Sequence, residues 1–124
     1  FMNGIPIRVA ATARLDQSVV GTGFPSKTEA RRQVLDGLVE VGKHCRTIRA
    51  LGSAACQMSY VAAGRLTAFW ENGLNVWDVA AGVVLIREAG GQVTDTRGNP
   101  FNLGTRDIFG SNGIVHSLML PCLK

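Results

Sequence analysis

The chain has 124 residues, enough for one small domain with a buried core, and its 46% hydrophobic and 18% charged residues exclude a disordered chain. The net charge of +4 comes from Lys and Arg residues spread along the sequence, so charge alone makes nucleic acid an unlikely partner. No apolar run approaches the roughly 20 residues of a membrane span, which predicts no membrane segment.

The cysteines indicate the redox compartment of the protein. The chain has three cysteines, an odd number, and they lack C-x-x-C spacing. This argues against a disulfide framework and against a structural zinc site. We therefore expect free thiols in a reducing compartment and a cytoplasmic protein. The three are Cys45, Cys56 and Cys122.

The chain opens on a turn-forming Asn3-Gly4, as if in mid-hairpin. Apolar patterns then predict strands over residues 5–9 and 18–24, joined by a polar linker. The G-T-G at residues 21–23 is a very weak dinucleotide-binding signal, because Ser26 stands where the third glycine belongs.

A first helix is predicted after the second strand. Ser26 and Glu29 fit a capping box, and Gly42 supplies the stop. Apolar residues recur at helical spacing between them, which predicts an amphipathic helix with its basic residues facing water. The apolar stripe is Ala30, Val34, Leu38 and Val41.

The remaining elements alternate between strands and helices. That alternation predicts an α/β layered domain with a sheet covered on its faces. Residues 78–89 lack a charged face, which predicts a helix that is buried on most sides. Strands are predicted at 46–51, 66–70, 92–94 and 107–111, and helices at 53–63, 78–89 and 114–120, with Pro121 closing the last.

Asp78 is the first candidate for chemistry, because a carboxylate stands at the start of an otherwise apolar helix. As a helix N-cap it would accept hydrogen bonds from first-turn amides and stabilise the helix by about 1 kcal/mol. A carboxylate fixed at a helix entrance also suits a hard cation such as magnesium. One carboxylate is not a magnesium site, and no D-x-D or second acidic cluster lies nearby.

Glu71 and the segment of Gly52, Ser53 and Ala54 are the next candidates. Glu71 follows a predicted strand in W-E-N-G and is either an exposed turn acid or a pocket residue beside Asp78 that accepts hydrogen bonds from a polyol. The small residues open a helix whose free amides could face a ligand, although a capping serine after a turn glycine explains them equally well.

The other polar and aromatic candidates are assigned to structure. His44 and His116 have no acidic or cysteine neighbour at triad or ligand spacing. Trp70 and Trp77 are expected in the core around the loop between the two acids.

Two segments of this chain resemble the C-terminal half of the inositol monophosphatase family. They are L-G-S-A-A-C-Q-M-S-Y-V-A-A-G-R-L at 51–66 and F-W-E-N-G-L-N-V-W-D-V-A-A-G-V-V-L-I-R-E-A-G-G-Q-V-T-D at 69–95. The N-G-I-P-I, G-N-P-F and S-N-G segments also fit, so the resemblance covers essentially the whole chain. It implies a layered, mixed β-sheet flanked by helices.

The resemblance also implies a magnesium-dependent, lithium-sensitive phosphatase that hydrolyses a phosphomonoester, inositol monophosphate first, by attack of a metal-activated water. It implies that Asp78 binds metal beside the substrate and that Glu71 contacts substrate hydroxyls. It further implies that Gly52, Ser53 and Ala54 contact the sugar or inositol, and that the full-length enzyme is a homodimer.

The chain departs from the family in lacking the other metal ligands, a glutamate and a D-P-x-D-G-T segment. We therefore expect residues 1–124 to be one domain, the C-terminal half of a longer enzyme, with one metal ligand, no catalytic residue and no activity alone. Histidinol phosphate, fructose bisphosphate and adenosine bisphosphates remain alternative substrates. A module that binds RNA or the transcription machinery is the alternative from another class.

Overall fold

Five short strands form one mixed sheet in the computed structural model, which describes residues 1–123. The order across the sheet is β2-β1-β3-β5-β4. The first three neighbours are parallel, whereas β5 runs antiparallel to both β3 and β4. The strands are β1 (Val19–Thr22), β2 (Thr47–Ala50), β3 (Ala68–Glu71), β4 (Gln92–Asp95) and β5 (Ile108–Ser111).

Four α-helices connect or follow these strands, and a short 3-10 turn (Leu15–Gln17) precedes β1. Within residues 1–123, none of the helices is both long enough and apolar enough to cross a membrane. The helices are α1 (Thr28–His44), α2 (Ala54–Ala62), α3 (Val76–Glu88) and α4 (His116–Leu123).

The two faces of the sheet support separate apolar clusters because side chains alternate along each strand. On β3, Phe69 packs into the cluster formed with α2 and α3, and its neighbour Trp70 packs into the cluster formed with α1 and α4. This confirms the predicted α/β fold with a mixed sheet flanked by helices. Glu71 shares the face of Phe69 and therefore points toward α2 and α3.

The helix α3 differs from the prediction of a helix buried on most sides. One face is buried through Val79, Val83 and Ile86, but the opposite face leaves Trp77 78% and Val84 59% exposed. The prediction that Trp77 lies in the core is therefore wrong, whereas Trp70 is 1% exposed as expected. An apolar composition does not show whether one face of a helix or both are buried, and no element within residues 1–123 covers the outer face of α3.

Several predicted boundaries are also wrong, each for a local reason. Residues 5–9 form no strand, because beyond the Met2–Ile5 bridge they pair with no neighbouring strand. The predicted capping box is absent, since the N-cap of α1 is Lys27 and no side chain caps it. The helix continues through Gly42, as Val41 is buried and its carbonyl accepts from the Cys45 N–H at 2.9 Å.

The last helix begins at His116 and includes Pro121 instead of ending before it. Pro121 is the sixth of the eight residues of α4, so its missing N–H removes an intrahelical hydrogen bond only near the C-terminal end of the helix. Free thiols are confirmed for the three cysteines within the described part of the chain.

Candidate functional site

An open pocket of about 460 Å³ lies where the carboxyl ends of β1 and β3 meet the starts of α2 and α3. Ends of neighbouring parallel strands that face helix N-termini are a common place for ligands in α/β folds. The structure brings all five predicted site residues to this one pocket. They are Gly52, Ser53, Ala54, Glu71 and Asp78.

The entrance to α2 supplies the donor groups of the pocket. Gly52 has φ +83°, a conformation that glycine adopts without strain, and it turns the chain into the helix. The Ser53 hydroxyl accepts from the Cys56 N–H at 3.1 Å, which confirms the predicted N-cap. The amides of Ala54 and Ala55 stand in the first turn, where helices leave N–H groups without intrahelical partners, and both residues line the pocket.

Glu71 ends β3 as a buried carboxylate, only 9% exposed, so it is not an exposed turn acid. Burial, and secondly the negative charge of Asp78, raise the pKa of Glu71 to about 7. No hydrogen-bond donor within residues 1–123 contributes to this shift. The carboxylate thus retains its accepting capacity for a group from outside the described chain.

Asp78 lies in the first turn of α3 but is not its N-cap, which is Asn75. The cap prediction was wrong by three residues, because the helix begins at Val76. One Asp78 carboxylate oxygen, Oδ2, accepts from the Asn75 N–H at 2.9 Å. The other oxygen has no hydrogen-bond donor within the described residues, so one atom orients the side chain while the other can serve a ligand.

The fit of a magnesium ion to this pocket is partial. Magnesium prefers an octahedral set of oxygen ligands, with several positions held by water or substrate. Residues 1–123 contain no group of three His, Cys, Asp or Glu side chains placed to hold a metal ion. Asp78 can supply one oxygen, and Glu71 stands in the same pocket.

Sequence reasoning missed five residues of the pocket wall. They contribute two aromatic rings, two aliphatic side chains and a glycine beside Glu71. The G-T-G at residues 21–23 was the available signal for the glycine, although it suggested a nucleotide. The five are Gly23, Phe24, Ala55, Leu74 and Trp77.

The histidines lie elsewhere. His116 is 2% exposed and hydrogen-bonds Thr94 Oγ1 at 2.9 Å and Ser111 Oγ at 2.8 Å. Burial lowers the pKa of His116 to about 4, which keeps the ring neutral inside the fold. His44 is the exposed last residue of α1. His116 is thus a structural residue, as expected.

The model of the inositol monophosphatase family matches residues 1–123 of the sequence. The chain belongs to the inositol monophosphatase family. Two relatives have about 40% sequence identity to it. An inositol-1-monophosphatase of Mesorhizobium japonicum is 40% identical over 125 residues, covering 100% of this chain and 47% of the relative. The Nus factor SuhB of Escherichia coli is 41% identical over 126 residues, covering 99% of this chain and 46% of the relative.

A solved structure shows the same fold. The extragenic suppressor protein suhB of Bartonella henselae matches with a TM-score of 0.93 and 38% identity, covering 100% of this chain and 48% of that one. The chain therefore spans about half the length of the relatives that it matches.

Proposed function

We propose that this chain forms the substrate-binding half of a magnesium-dependent phosphatase that hydrolyses a phosphomonoester of a polyol, inositol monophosphate first. The observation that carries the proposal is the convergence in one pocket of the α2 entrance, Glu71 and Asp78. Membership of the inositol monophosphatase family supports the reaction class. Because the chain spans only about half of its relatives, the reaction belongs to a longer protein.

Each element of the pocket has a role in this proposal. Amide groups at the α2 entrance donate to substrate oxygens, and the buried Glu71 carboxylate accepts from a polyol hydroxyl. Asp78 offers its free oxygen to magnesium, which, when bound with its remaining ligands, supplies the activated water. The other ligands come from residues outside this chain.

The decisive experiment compares the chain alone with a longer protein. We expect residues 1–124 to release no phosphate from inositol 1-phosphate at saturating magnesium. Joined behind the N-terminal part of the Mesorhizobium japonicum relative, the same residues should release phosphate. In that fusion, Asp78→Asn should lower kcat/KM at least about 100-fold, because a metal ligand is lost.

Asp36→Asn is the matched control, since Asp36 is exposed on α1 and away from the pocket. It should leave the rate of the fusion unchanged. Phosphate release by the isolated chain, or full activity of the Asp78→Asn fusion, would contradict the proposal. Comparing inositol, fructose and adenosine phosphates in the same assay ranks the substrates.

A second candidate function is binding to RNA or to the transcription machinery. The 41% identity to a protein named as a Nus factor favours it, and the net charge of +4 is compatible. Such binding would weaken steeply with salt, since phosphate contacts release counterions. RNA retained at 50 mM but lost at 200 mM salt would support this role, and no retention at either would remove it.

We also propose that the longer protein is a homodimer in the cytoplasm. The apolar outer face of α3, with Trp77 and Val84 exposed, supports association with another protein surface. Sedimentation velocity of the fusion over a hundredfold range of concentration tests this, and a monomer throughout would refute it.

A further inference from the structure

The G-T-G segment that ends β1 lies beside the pocket without being a nucleotide loop. Gly21 is in β1 and Gly23 follows its last residue, so both project toward the α2 and α3 face of the sheet. Each meets a polar side chain there. Gly21 faces Gln57, and Gly23 faces Glu71.

Gly23 leaves space that Glu71 occupies. A Cβ atom at Gly23 would lie 1.6 Å from Glu71 Oε1 and 2.7 Å from Glu71 Cδ. Gly23 does not have a positive φ angle, so an alanine could adopt its backbone conformation. Space for the carboxylate, and not backbone geometry, is therefore what requires glycine at this position.

No hydrogen bond within the described chain fixes the position of the Glu71 carboxylate. No donor contributes to the pKa shift of Glu71, whereas the neighbouring Asp78 carboxylate accepts a hydrogen bond from the Asn75 N–H. The walls around Glu71 thus determine where its oxygens lie. A methyl group at Gly23 would push them away from their present place.

We propose that Gly23 is a positioning residue, which sets the location of the Glu71 carboxylate and through it the recognition of a polyol hydroxyl. This inference rests on the proposed function for its ligand, but the pairing of the two residues does not. An alanine at Gly23 displaces the carboxylate and weakens binding of a polyol phosphate. It leaves binding of inorganic phosphate unchanged, because that ion has no polyol hydroxyl to present.

The test is a double-mutant cycle with Gly23→Ala and Glu71→Asp. Aspartate is shorter by one methylene, about 1.5 Å, and makes room for the added methyl group. Gly23→Ala should lower the affinity for inositol 1-phosphate with magnesium about 10-fold, the effect of losing one charge-assisted hydrogen bond. Added to Glu71→Asp, it should change the affinity less than about 2-fold.

The same double-mutant cycle can be measured by thermal unfolding, which needs no ligand. Gly23→Ala should lower Tm by about 2 °C in the wild-type chain, since the group displaced is the end of a flexible side chain, and by much less when residue 71 is aspartate. Gly21→Ala is the matched control, because its Cβ would lie 2.6 Å from Gln57 Oε1 and Glu71→Asp should not relieve that conflict.

The outcomes separate this inference from the proposed function. If neither the wild-type chain nor the fusion binds a polyol phosphate, the proposed function fails, and the Tm cycle still decides whether Gly23 positions Glu71. Equal effects of Gly23→Ala in both backgrounds, in Tm and in any measured affinity, would overturn the positioning role. Equal losses of affinity for inorganic phosphate and for inositol 1-phosphate would overturn its link to the hydroxyl.

Discussion

Two buried titratable side chains, Glu71 and His116, have pKa values shifted in opposite directions and have different surroundings. His116 lies between two hydroxyl groups that satisfy both ring nitrogens. Glu71 has burial and a neighbouring carboxylate but no donor from the described chain. A carboxylate kept in such a place destabilises the fold when ionised, which is typical of a residue retained for binding.

The free-energy cost of ionising the buried Glu71 side chain predicts how the stability of the fold changes with pH. Burial and Asp78 raise the pKa of Glu71 to about 7, so the folded chain holds this proton more tightly than the unfolded chain does. Stability from this group is therefore lost as pH rises from about 4.5 to about 7. Glu71→Gln should raise the free energy of unfolding by about 1–3 kcal/mol at pH 8 and by almost nothing at pH 4.5.

Urea unfolding at the two pH values, with EDTA present, measures this difference. Comparing variant with wild type at each pH cancels the contribution of His116, whose lowered pKa makes its own stabilisation fall as pH drops from 6.5 toward 4. Glu88→Gln, on the exposed side of α3, is the control and should match wild type. A gain for Glu71→Gln that is equal at both pH values would count against the shifted pKa.

At this scale the sequence predicted five of the ten pocket residues but not their exposure. Carboxylates in apolar surroundings singled out Glu71 and Asp78, the family resemblance implied their roles, and the structure brings them to one pocket. The wall formed by Gly23 and Trp77 could not be predicted, because it depends on which strand end lies beside which helix. A glycine required for space looks in the sequence like one required for a turn.

At the scale of elements, the close contact between α2 and α3 fixes the relative position of the two helix entrances that line the pocket. Gly82 of α3 lies against Met58 of α2, where an added Cβ would approach Met58 Cβ to 2.6 Å. Both residues are buried on the sides of α2 and α3 that face each other. The glycine therefore serves helix packing and not helix formation.

Gly82→Ala should destabilise the chain by about 1–3 kcal/mol despite the better helix propensity of alanine. The matched control is Gly42→Ala in α1, where the added Cβ meets only Ile48 Cδ1 at an ordinary 3.9 Å. That change should stabilise by about 0.5–1 kcal/mol. Chemical denaturation of both variants measures the contrast, and stabilisation by Gly82→Ala would disprove the close packing.

Elements were predicted better than their ends. Periodicity and alternation located four helices and the five strands of the sheet, since those patterns follow directly from backbone geometry. The strand predicted at residues 5–9 failed because pairing needs a neighbour that the local sequence does not specify. Gly42 and Pro121 failed as stop signals because core contacts of Val41 and the short remaining length of α4 outweigh them.

For the whole molecule, the sheet and its four helices place the pocket where the ends of β1 and β3 meet the starts of α2 and α3. The five predicted site residues gather there, but residues 1–123 contain no group of three His, Cys, Asp or Glu side chains that could hold a metal ion. The apolar outer face of α3 is likewise exposed within the described residues. Both features agree with a chain that spans about half the length of its relatives.

The central claim is that the pocket between α2, α3 and the end of β3 binds a phosphorylated polyol. The most direct measurement is an NMR titration of the isotope-labelled chain with inositol 1-phosphate at saturating magnesium. We predict shifts at the amides of Ser53, Ala54 and Glu71 and at the Trp77 indole, which weaken without magnesium and in Asp78→Asn. A second polar pocket, lined by residues 95–97, 99, 102 and 104–107, provides the internal comparison. Shifts confined to that pocket, or no shifts at all, would contradict the claim.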